Sequence, residues 1–273
     1  MNLFEAIFLG LIQGATEFLP ISSDGHLVLL PALLGLKPPD LKLISIAHQG
    51  TLLAILIYFW ADIRQITSAV LDGLRQRQPL GNHESRLGWY IAVATLPAVV
   101  IGLSFKDFFE ESLNHPTLAA FCLLLTAGLL VVGERLMSGR ITIPQMSWAD
   151  ALWVGLLQPL ALLPGVSRSG TTIATAVWRG LDRPAAARFS FLLGIPAILG
   201  AGLLGLIDLL QTDTLAAQAP FYLVTFLTSA LVGYACIHFL LSWVRQHTFY
   251  PFAIYCAIFG FLYLMLAWLG IVS

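Results

Sequence analysis

Long apolar runs separated by short polar segments make up most of this sequence. A helix that spans a bilayer needs about 20 mostly apolar residues, and six stretches come close to that length. They are residues 43–60, 87–105, 118–136, 189–210, 221–244 and 252–272. The pattern therefore predicts six transmembrane helices.

Four other apolar pieces are too short to span a bilayer, and they flank two polar stretches in pairs. The pieces are residues 3–12, 27–36, 148–163 and 171–178. Pro20 and Pro164 lie in the polar stretches 13–26 and 164–172 and would break the helices there, because a proline removes a helical hydrogen bond. Irregular backbone at membrane depth is tolerated where it is buried in protein or lines a cavity. We therefore expect two re-entrant helical hairpins.

The two hairpins repeat each other in sequence. At an offset of 145 residues, the matches are Gly10 with Gly155, Gln13 with Gln158, Ser22 with Ser167, and Gly25 with Gly170. Three predicted spans separate the hairpins, and an odd number places the two copies in opposite orientations. This is the inverted-repeat arrangement in which broken helices meet near the midplane. We predict one membrane domain over residues 1–273, with repeat halves of approximately 1–117 and 148–273.

The composition agrees with an all-α integral membrane protein. Hydrophobic residues make up 58% of the 273 residues and charged residues 11%, whereas about a quarter of the residues in a soluble domain are charged. A net charge of −1 gives no reason to expect nucleic acid as a partner. Cys122, Cys236 and Cys256 lie in apolar runs without metal-ligand spacing, which indicates a packing role.

The distribution of Lys and Arg predicts an orientation, because cytoplasmic loops carry an excess of these residues. The loop 61–86 contains four arginines and is expected inside, whereas 106–117 contains one lysine among several acids and is expected outside. Continuing through the spans puts both termini outside and opens the first hairpin to the outside. Lys37 and Lys42, which would be external, run against this assignment.

Polar side chains in the two hairpins suggest an anion site. Gln13 and Glu17 are four residues apart and share one helix face. Serines stand where helix N-caps belong after each break, namely Ser22 and Ser23 in the first hairpin and Ser167 and Ser169 in the second. Helix N-termini favour anions, and the guanidinium fork of Arg168 suits phosphate oxygens. A phosphate-bearing ligand fits these groups best.

A nucleophile and a proton-transfer group would make this site hydrolytic. Ser23 and His26, three residues apart, could reach one another, and Glu17 could orient His26, act as a base or bind a divalent cation. Plainer interpretations stay open: Glu17 as a structural partner of Arg168, Ser23 as a hydrogen-bond donor only, and His26 as a packing residue. His48 is either a supporting group at the site or an interhelical hydrogen-bond partner.

Three strings closely resemble the undecaprenyl-diphosphatase family of bacterial membrane proteins, also known as bacitracin-resistance proteins. They are Gln13-x-x-x-Glu17, Phe18-Leu-Pro-x-Ser-Ser-x-Gly-His26 and Pro164-Gly-x-Ser-Arg-Ser-x-x-Thr172. Segments 48–54, 189–193 and 251–255 extend the resemblance over nearly the whole chain.

The resemblance implies a phosphatase of the bacterial inner membrane that removes the terminal phosphate of a C55 isoprenoid diphosphate at the outward face. This reaction recycles a lipid carrier for cell-wall synthesis. The implied cofactor is a divalent cation, Mg²⁺ or Ca²⁺, and the implied partners are a polyprenyl diphosphate lipid, the membrane and a second copy in a homodimer. The implied catalytic residues are Glu17, Ser23, His26 and Arg168. The implied phosphate-binding residues are Ser22, Ser167, Arg168, Ser169, Gly170 and Thr172.

Two positions depart from the family pattern. Position 13 is Gln where many relatives have Glu, and position 24 is Asp where Ser or Thr is common. We hypothesise that Asp24 takes over part of the metal binding or His26 orientation that a glutamate at 13 would provide, so that Glu17, Gln13 and Asp24 are the candidate metal ligands. The nucleophile stays open between serine, histidine and an activated water.

The rival hypothesis is a lipid-phosphate flippase or transporter, since inverted repeats with broken helices also hold anions in secondary transporters. The cluster of Ser23, His26 and Glu17 separates the two, because a carrier needs an anion site but no nucleophile.

Overall fold

The structure is a computed structural model that describes residues 2–37, 39–210 and 215–272, and the side chains of these except 203–210 and 215–217. The described ranges are almost entirely helical. In chain order the α-helices are α1 Leu3–Phe18, α2 Ser23–Leu34, α3 Leu41–Tyr58, α4 Trp60–Arg75, α5 His83–Ser104, α6 Lys106–Ser112, α7 Pro116–Leu136, α8 Trp148–Leu157, α9 Arg168–Trp178, α10 Arg183–Leu210, α11 Leu215–Trp243 and α12 Tyr250–Trp268. The sole β-type pairing in those ranges is a bridge between Ile141 and Leu181.

Six of these helices are long and apolar enough to cross a membrane, which confirms the predicted all-α membrane protein with six spans. They are α3, α5, α7, α10, α11 and α12. All six begin two to six residues earlier than hydropathy alone indicates, and a polar side chain caps the start of α3 and of α5. Asp40 accepts from the Leu43 amide at 2.7 Å and Asn82 from the Ser85 amide at 2.8 Å.

The short helices form two contacting pairs, α1 with α2 and α8 with α9. The first break follows the prediction, since α1 ends at Phe18, just ahead of Pro20. The second begins earlier than predicted: α8 ends at Leu157, and a 3-10 helix, Gln158–Leu162, carries Pro159 near its start. Pro159 therefore breaks the α-helix before Pro164 does. The depth of the two hairpins in a membrane stays a prediction.

The predicted loops 61–86 and 106–117 contain two helices, α4 and α6, that the sequence interpretation missed. On α4, Val70 and Ile66 pack against α5 beside Gly88, where a Cβ would lie 2.5 Å from Val70 Cγ2. The signal was the apolar spacing of three and four residues between the arginines.

Helix contacts come in pairs that parallel the sequence repeat. The helix α1 packs along α11, and α8 packs along α5. Glycines allow both approaches, because a Cβ at Gly10 would lie 2.7 Å from Thr228 Cβ and one at Gly155 would lie 2.6 Å from Ala94 Cα. These contacts bring the two breaks together in the interior, while the division into halves at 117 and 148 stays a prediction.

Candidate active site

A cavity of about 150 Å³ lies where the N-terminal ends of α2 and α9 meet α3 and α10. Residues of both polar stretches line it together with two spanning helices. The lining residues are Glu17, Ser22, Ser23, Asp24, His48, Ala161, Leu162, Val166, Ser167, Arg168, Ala197, Ile198 and Ala201. The structure thus brings the two helix N-termini to one place, as the sequence indicated.

Glu17 is the centre of the polar contacts in the cavity. Its Oε2 accepts hydrogen bonds from Gln13 Nε2 at 2.9 Å and from Ser23 Oγ at 2.7 Å. Its Oε1 accepts from Arg168 Nη2 at 3.0 Å. The residue is 7% exposed, so a counter-ion and donors are needed to keep a carboxylate there. The hydroxyl proton of Ser23 therefore points at a buried carboxylate, the arrangement that activates a serine nucleophile.

The two helix caps are Ser22 and Ser167, one for each hairpin. Ser22 Oγ accepts from the Gly25 amide at 3.2 Å, and Ser167 Oγ accepts from the Gly170 amide at 3.0 Å. Ser23, the other predicted cap residue of the first hairpin, is the first residue of α2. Each hairpin therefore presents a capped helix start to the cavity, with Ser23 in one and Arg168 in the other.

Glycines let the two breaks touch. A Cβ at Gly25 would lie 2.9 Å from Gly165 Cα, and one at Gly165 would lie 2.0 Å from the Ala119 carbonyl oxygen. Gly165 also has a φ of 91°, which L residues rarely adopt. The hydroxyl of Ser169 adds a bond between the hairpins, donating to the Leu19 carbonyl at 3.1 Å. These contacts fix the distance between the two helix starts.

Arg168 reaches from the second hairpin to the carboxylate of the first. Its guanidinium lies against Gly194 on α10, where a Cβ would be 2.3 Å from Nη1. Thr172 supports α9 from behind: it is fully buried, and its hydroxyl donates to the Arg168 carbonyl at 2.8 Å and contacts Ser190 Oγ at 2.6 Å. The structure places Thr172 and Gly170 outside the cavity lining, unlike Ser167 and Arg168.

His26 lies away from the cavity. Its Nδ1 lies 2.7 Å from the Ser22 carbonyl oxygen and its Nε2 lies 2.7 Å from the Tyr255 hydroxyl on α12. The expected contact between His26 and the Ser23 hydroxyl is therefore replaced by the bond between Ser23 and Glu17. Gln13 is also outside the lining, fully buried behind Glu17.

Comparison with known proteins identifies the family of this chain. The chain matches the model of the family described as Bacitracin resistance protein BacA over residues 6–262. The chain belongs to this family. Its relatives include proteins named undecaprenyl-diphosphatase from Chlorobium phaeovibrioides, 44% identical over 277 residues and 97% of each chain, and from Desulforudis audaxviator, 43% identical over 98% of each chain. A third, from Chloroherpeton thalassium, is 43% identical over 98% of each chain.

The histidine at the cavity of this BacA-family chain is His48. Its Nε2 lies 3.5 Å from Glu17 Oε2 and 3.7 Å from Asp24 Oδ1. Its Nδ1 faces the Ile44 carbonyl oxygen at 2.9 Å, so that nitrogen donates. The sequence interpretation left His48 open between a supporting group and an interhelical bond. The signal that favours the site is an ionisable residue inside an apolar span.

Two carboxylates at the cavity suit a cation that is shared with a phosphate. The Asp24 side chain is 35% exposed and that of Glu17 is 5% exposed. Among the described residues, no group of three or more His, Cys, Asp or Glu is placed to hold a metal ion by itself. Mg²⁺ in phosphate-binding sites often uses one or two carboxylates and completes its shell with water and phosphate oxygens. The donor set fits a cation that arrives with the substrate.

Proposed function

We propose that this chain removes the terminal phosphate of undecaprenyl diphosphate and leaves undecaprenyl phosphate. One observation carries the proposal: Ser23 Oγ donates to Glu17 at 2.7 Å while Arg168 binds the other oxygen of the same carboxylate at 3.0 Å. A nucleophile, a base and a phosphate-binding cation therefore meet at two helix N-termini. The relatives named undecaprenyl-diphosphatase support the choice of substrate.

The geometry suggests a two-step reaction. Glu17 accepts the hydroxyl proton while Ser23 Oγ attacks the terminal phosphorus, and the bond from that phosphorus to the bridging oxygen breaks. The lipid leaves as its monophosphate and takes the proton from Glu17, which returns to the carboxylate. Water then attacks the phosphoserine and gives a proton to Glu17. The bond from phosphorus to Ser23 Oγ breaks, Glu17 passes the proton to that oxygen, and inorganic phosphate leaves. Arg168 and the helix N-termini stabilise charge on the transferred phosphoryl group.

We also propose that Mg²⁺ or Ca²⁺ supports this reaction. Asp24 and Glu17 are the carboxylates that would hold the cation together with substrate oxygens, because both line the cavity. A divalent cation there would neutralise diphosphate charge. Gln13 donates to Glu17 and would act on the cation only through that carboxylate.

The proposed location is the bacterial inner membrane, with the cavity on the external side. At 1.5 Å per residue, His48 lies about 10 Å from the start of α3, and Ala201 lies about 27 Å from the start of α10. Both distances support an external cavity, because they bring it closer to the end of the bundle opposite the arginine-rich loop 61–86, which is expected inside. Whether two copies form a homodimer stays a prediction.

Product analysis separates the phosphatase from a lipid flippase. Purified protein in detergent should release one inorganic phosphate for each undecaprenyl phosphate formed, and Glu17→Gln should abolish the release because the amide cannot take the serine proton. Binding and transbilayer movement of the lipid without phosphate release would establish the flippase and remove the catalytic assignments.

A further inference from the structure

Ser22, directly before the proposed nucleophile, has an unusual backbone conformation. Its φ is 71° and its ψ is 104°. Among the described non-glycine residues, only Ser22 and the exposed Arg77 have positive φ. Such a conformation persists in a side-chain-bearing residue only where surrounding contacts hold it. The Ser22 peptide determines where the side chain of Ser23 points, so whatever holds it also sets the direction of the hydroxyl.

The side chain that holds Ser22 is His26. Its Nδ1 lies 2.7 Å from the Ser22 carbonyl oxygen, which can only accept, so Nδ1 donates. The Tyr255 hydroxyl lies 2.7 Å from Nε2, so each ring nitrogen has a hydrogen-bond partner.

Aromatic packing fixes the ring in this position. The imidazole is 2% exposed and lies parallel to Tyr255, at 5° and 5.6 Å between ring centroids, and near Phe259, at 22° and 5.1 Å. Both ring nitrogens are already engaged, and neither faces the cavity. His26 thus connects α12 to the peptide bond between Ser22 and Ser23.

The second hairpin lacks both the histidine contact and the positive φ at its cap. Its cap, Ser167, has an ordinary φ of −73°. The position that matches His26 at the 145-residue offset is Thr171, whose buried hydroxyl oxygen makes no hydrogen bond. The second break is held instead by Thr126, which donates to the Gly165 carbonyl and accepts from the Ser167 amide, both at 2.9 Å.

We propose that Tyr255 and His26 are positioning residues for Ser23. Tyr255 holds the imidazole in one orientation, and the imidazole holds Ser22 at positive φ so that the Ser23 hydroxyl faces Glu17. His26 then takes no proton from the serine and does not attack the phosphate. This inference rests on the proposed phosphatase reaction of Ser23 and extends it to α12.

Amide substitutions at position 26 distinguish positioning from proton transfer. The Asn amide nitrogen lies near the place of Nδ1 and can donate to Ser22, whereas the Gln amide lies near Nε2 and reaches Tyr255 instead. We expect His26→Asn to keep kcat for phosphate release from undecaprenyl diphosphate within about tenfold of wild type. His26→Gln and His26→Ala should lose about 100-fold in kcat with little change in KM.

The contribution of Tyr255 is tested by removing its hydroxyl alone. Tyr255→Phe keeps the stacked ring and should lower kcat about three- to tenfold, and it should cause no further loss in the His26→Asn background. Tyr234→Phe on α11 is the matched control, since Tyr234 packs against Tyr58 and does not line the cavity, and it should change nothing.

Hydrogen exchange gives a result that does not depend on turnover. Amides of residues 22–26 should exchange faster in His26→Ala and Tyr255→Phe than in wild type, and at the wild-type rate in His26→Asn and Tyr234→Phe. Equal loss of activity in His26→Asn and His26→Ala, with an active wild type, would overturn the positioning role but not the phosphatase. An inactive wild type with the expected exchange pattern would overturn the phosphatase but leave the contact between His26 and Ser22 in place.

Discussion

The two hairpins share a backbone plan and differ in the side chains that face the cavity. Both hairpins place a serine cap before a short helix, with the cap oxygen bound to the amide three residues later. At matching positions, however, the first hairpin has Glu17 and Ser23 where the second has Leu162 and Arg168. The shared plan supplies two helix N-termini. In the proposed reaction the differing residues supply the nucleophile and the base from the first hairpin and the guanidinium from the second. Neither hairpin alone contains a complete site.

Replacing the proposed nucleophile should have the largest effect of any change in the hairpins. Ser23→Ala should lower phosphate release by about 10³-fold or more, because the attacking oxygen is removed. Ser169→Ala in the second hairpin is the matched control and should cost less than tenfold, since its hydroxyl bonds the Leu19 carbonyl and the Ser167 hydroxyl and does not line the cavity. Equal losses would contradict the division of roles between the hairpins.

Replacing Arg168 in the second hairpin should have the next largest effect on activity. Arg168→Lys keeps the charge but removes the guanidinium fork that bonds Glu17 and the Ser190 carbonyl, so kcat/KM should fall about 100-fold. Arg179→Lys, directly after the same helix and paired with Asp150 at 2.9 Å, serves as the control. If both variants retain wild-type kcat/KM, Arg168 is not the phosphate-binding cation.

The contact between the breaks can be tested through stability. Gly165→Ala should destabilise the fold by about 2 kcal/mol or more, because the residue has positive φ and its Cβ would overlap the Ala119 carbonyl. Gly128→Ala on α7 has open space and should stabilise slightly or change nothing. Thermal unfolding in one detergent compares the two. An unchanged melting temperature for Gly165→Ala would mean that the breaks do not meet as described.

The smallest expected effect concerns Asp24, whose carboxylate lines the cavity. Asp24→Ser should raise the Mg²⁺ concentration for half-maximal activity about tenfold, because one of two cavity carboxylates is lost. Asp107→Ser, on the exposed helix α6, should leave the Mg²⁺ titration unchanged. If Asp24→Ser also leaves it unchanged, Asp24 does not bind the cation.

The sequence predicts the spans and the meeting of the hairpins well because these follow from local rules. Apolar length identifies the six spans, and serine caps with nearby glycines identify the starts of α2 and α9. The amphipathic helix α4 was missed because its segment contains arginines and lies between two apolar spans, which is typical of a loop.

The direction of each histidine could not be obtained in this way. The partner of His26, Tyr255, is 229 residues away in the chain, and only tertiary packing turns the imidazole towards it. His48 reaches the cavity because α3 crosses beside the first break. Spacing of three residues between Ser23 and His26 suggested a pair, yet the serine points back to Glu17 while the imidazole bonds the cap carbonyl.

The most direct test of the central claim is to identify the residue that carries phosphate during turnover. Protein mixed with undecaprenyl diphosphate labelled in its terminal phosphate is quenched within one turnover, digested and mapped. Our account predicts acid-stable label on Ser23 that is absent in Ser23→Ala. Acid-labile label on His26, or rapid turnover with no label on the protein, would contradict the serine nucleophile.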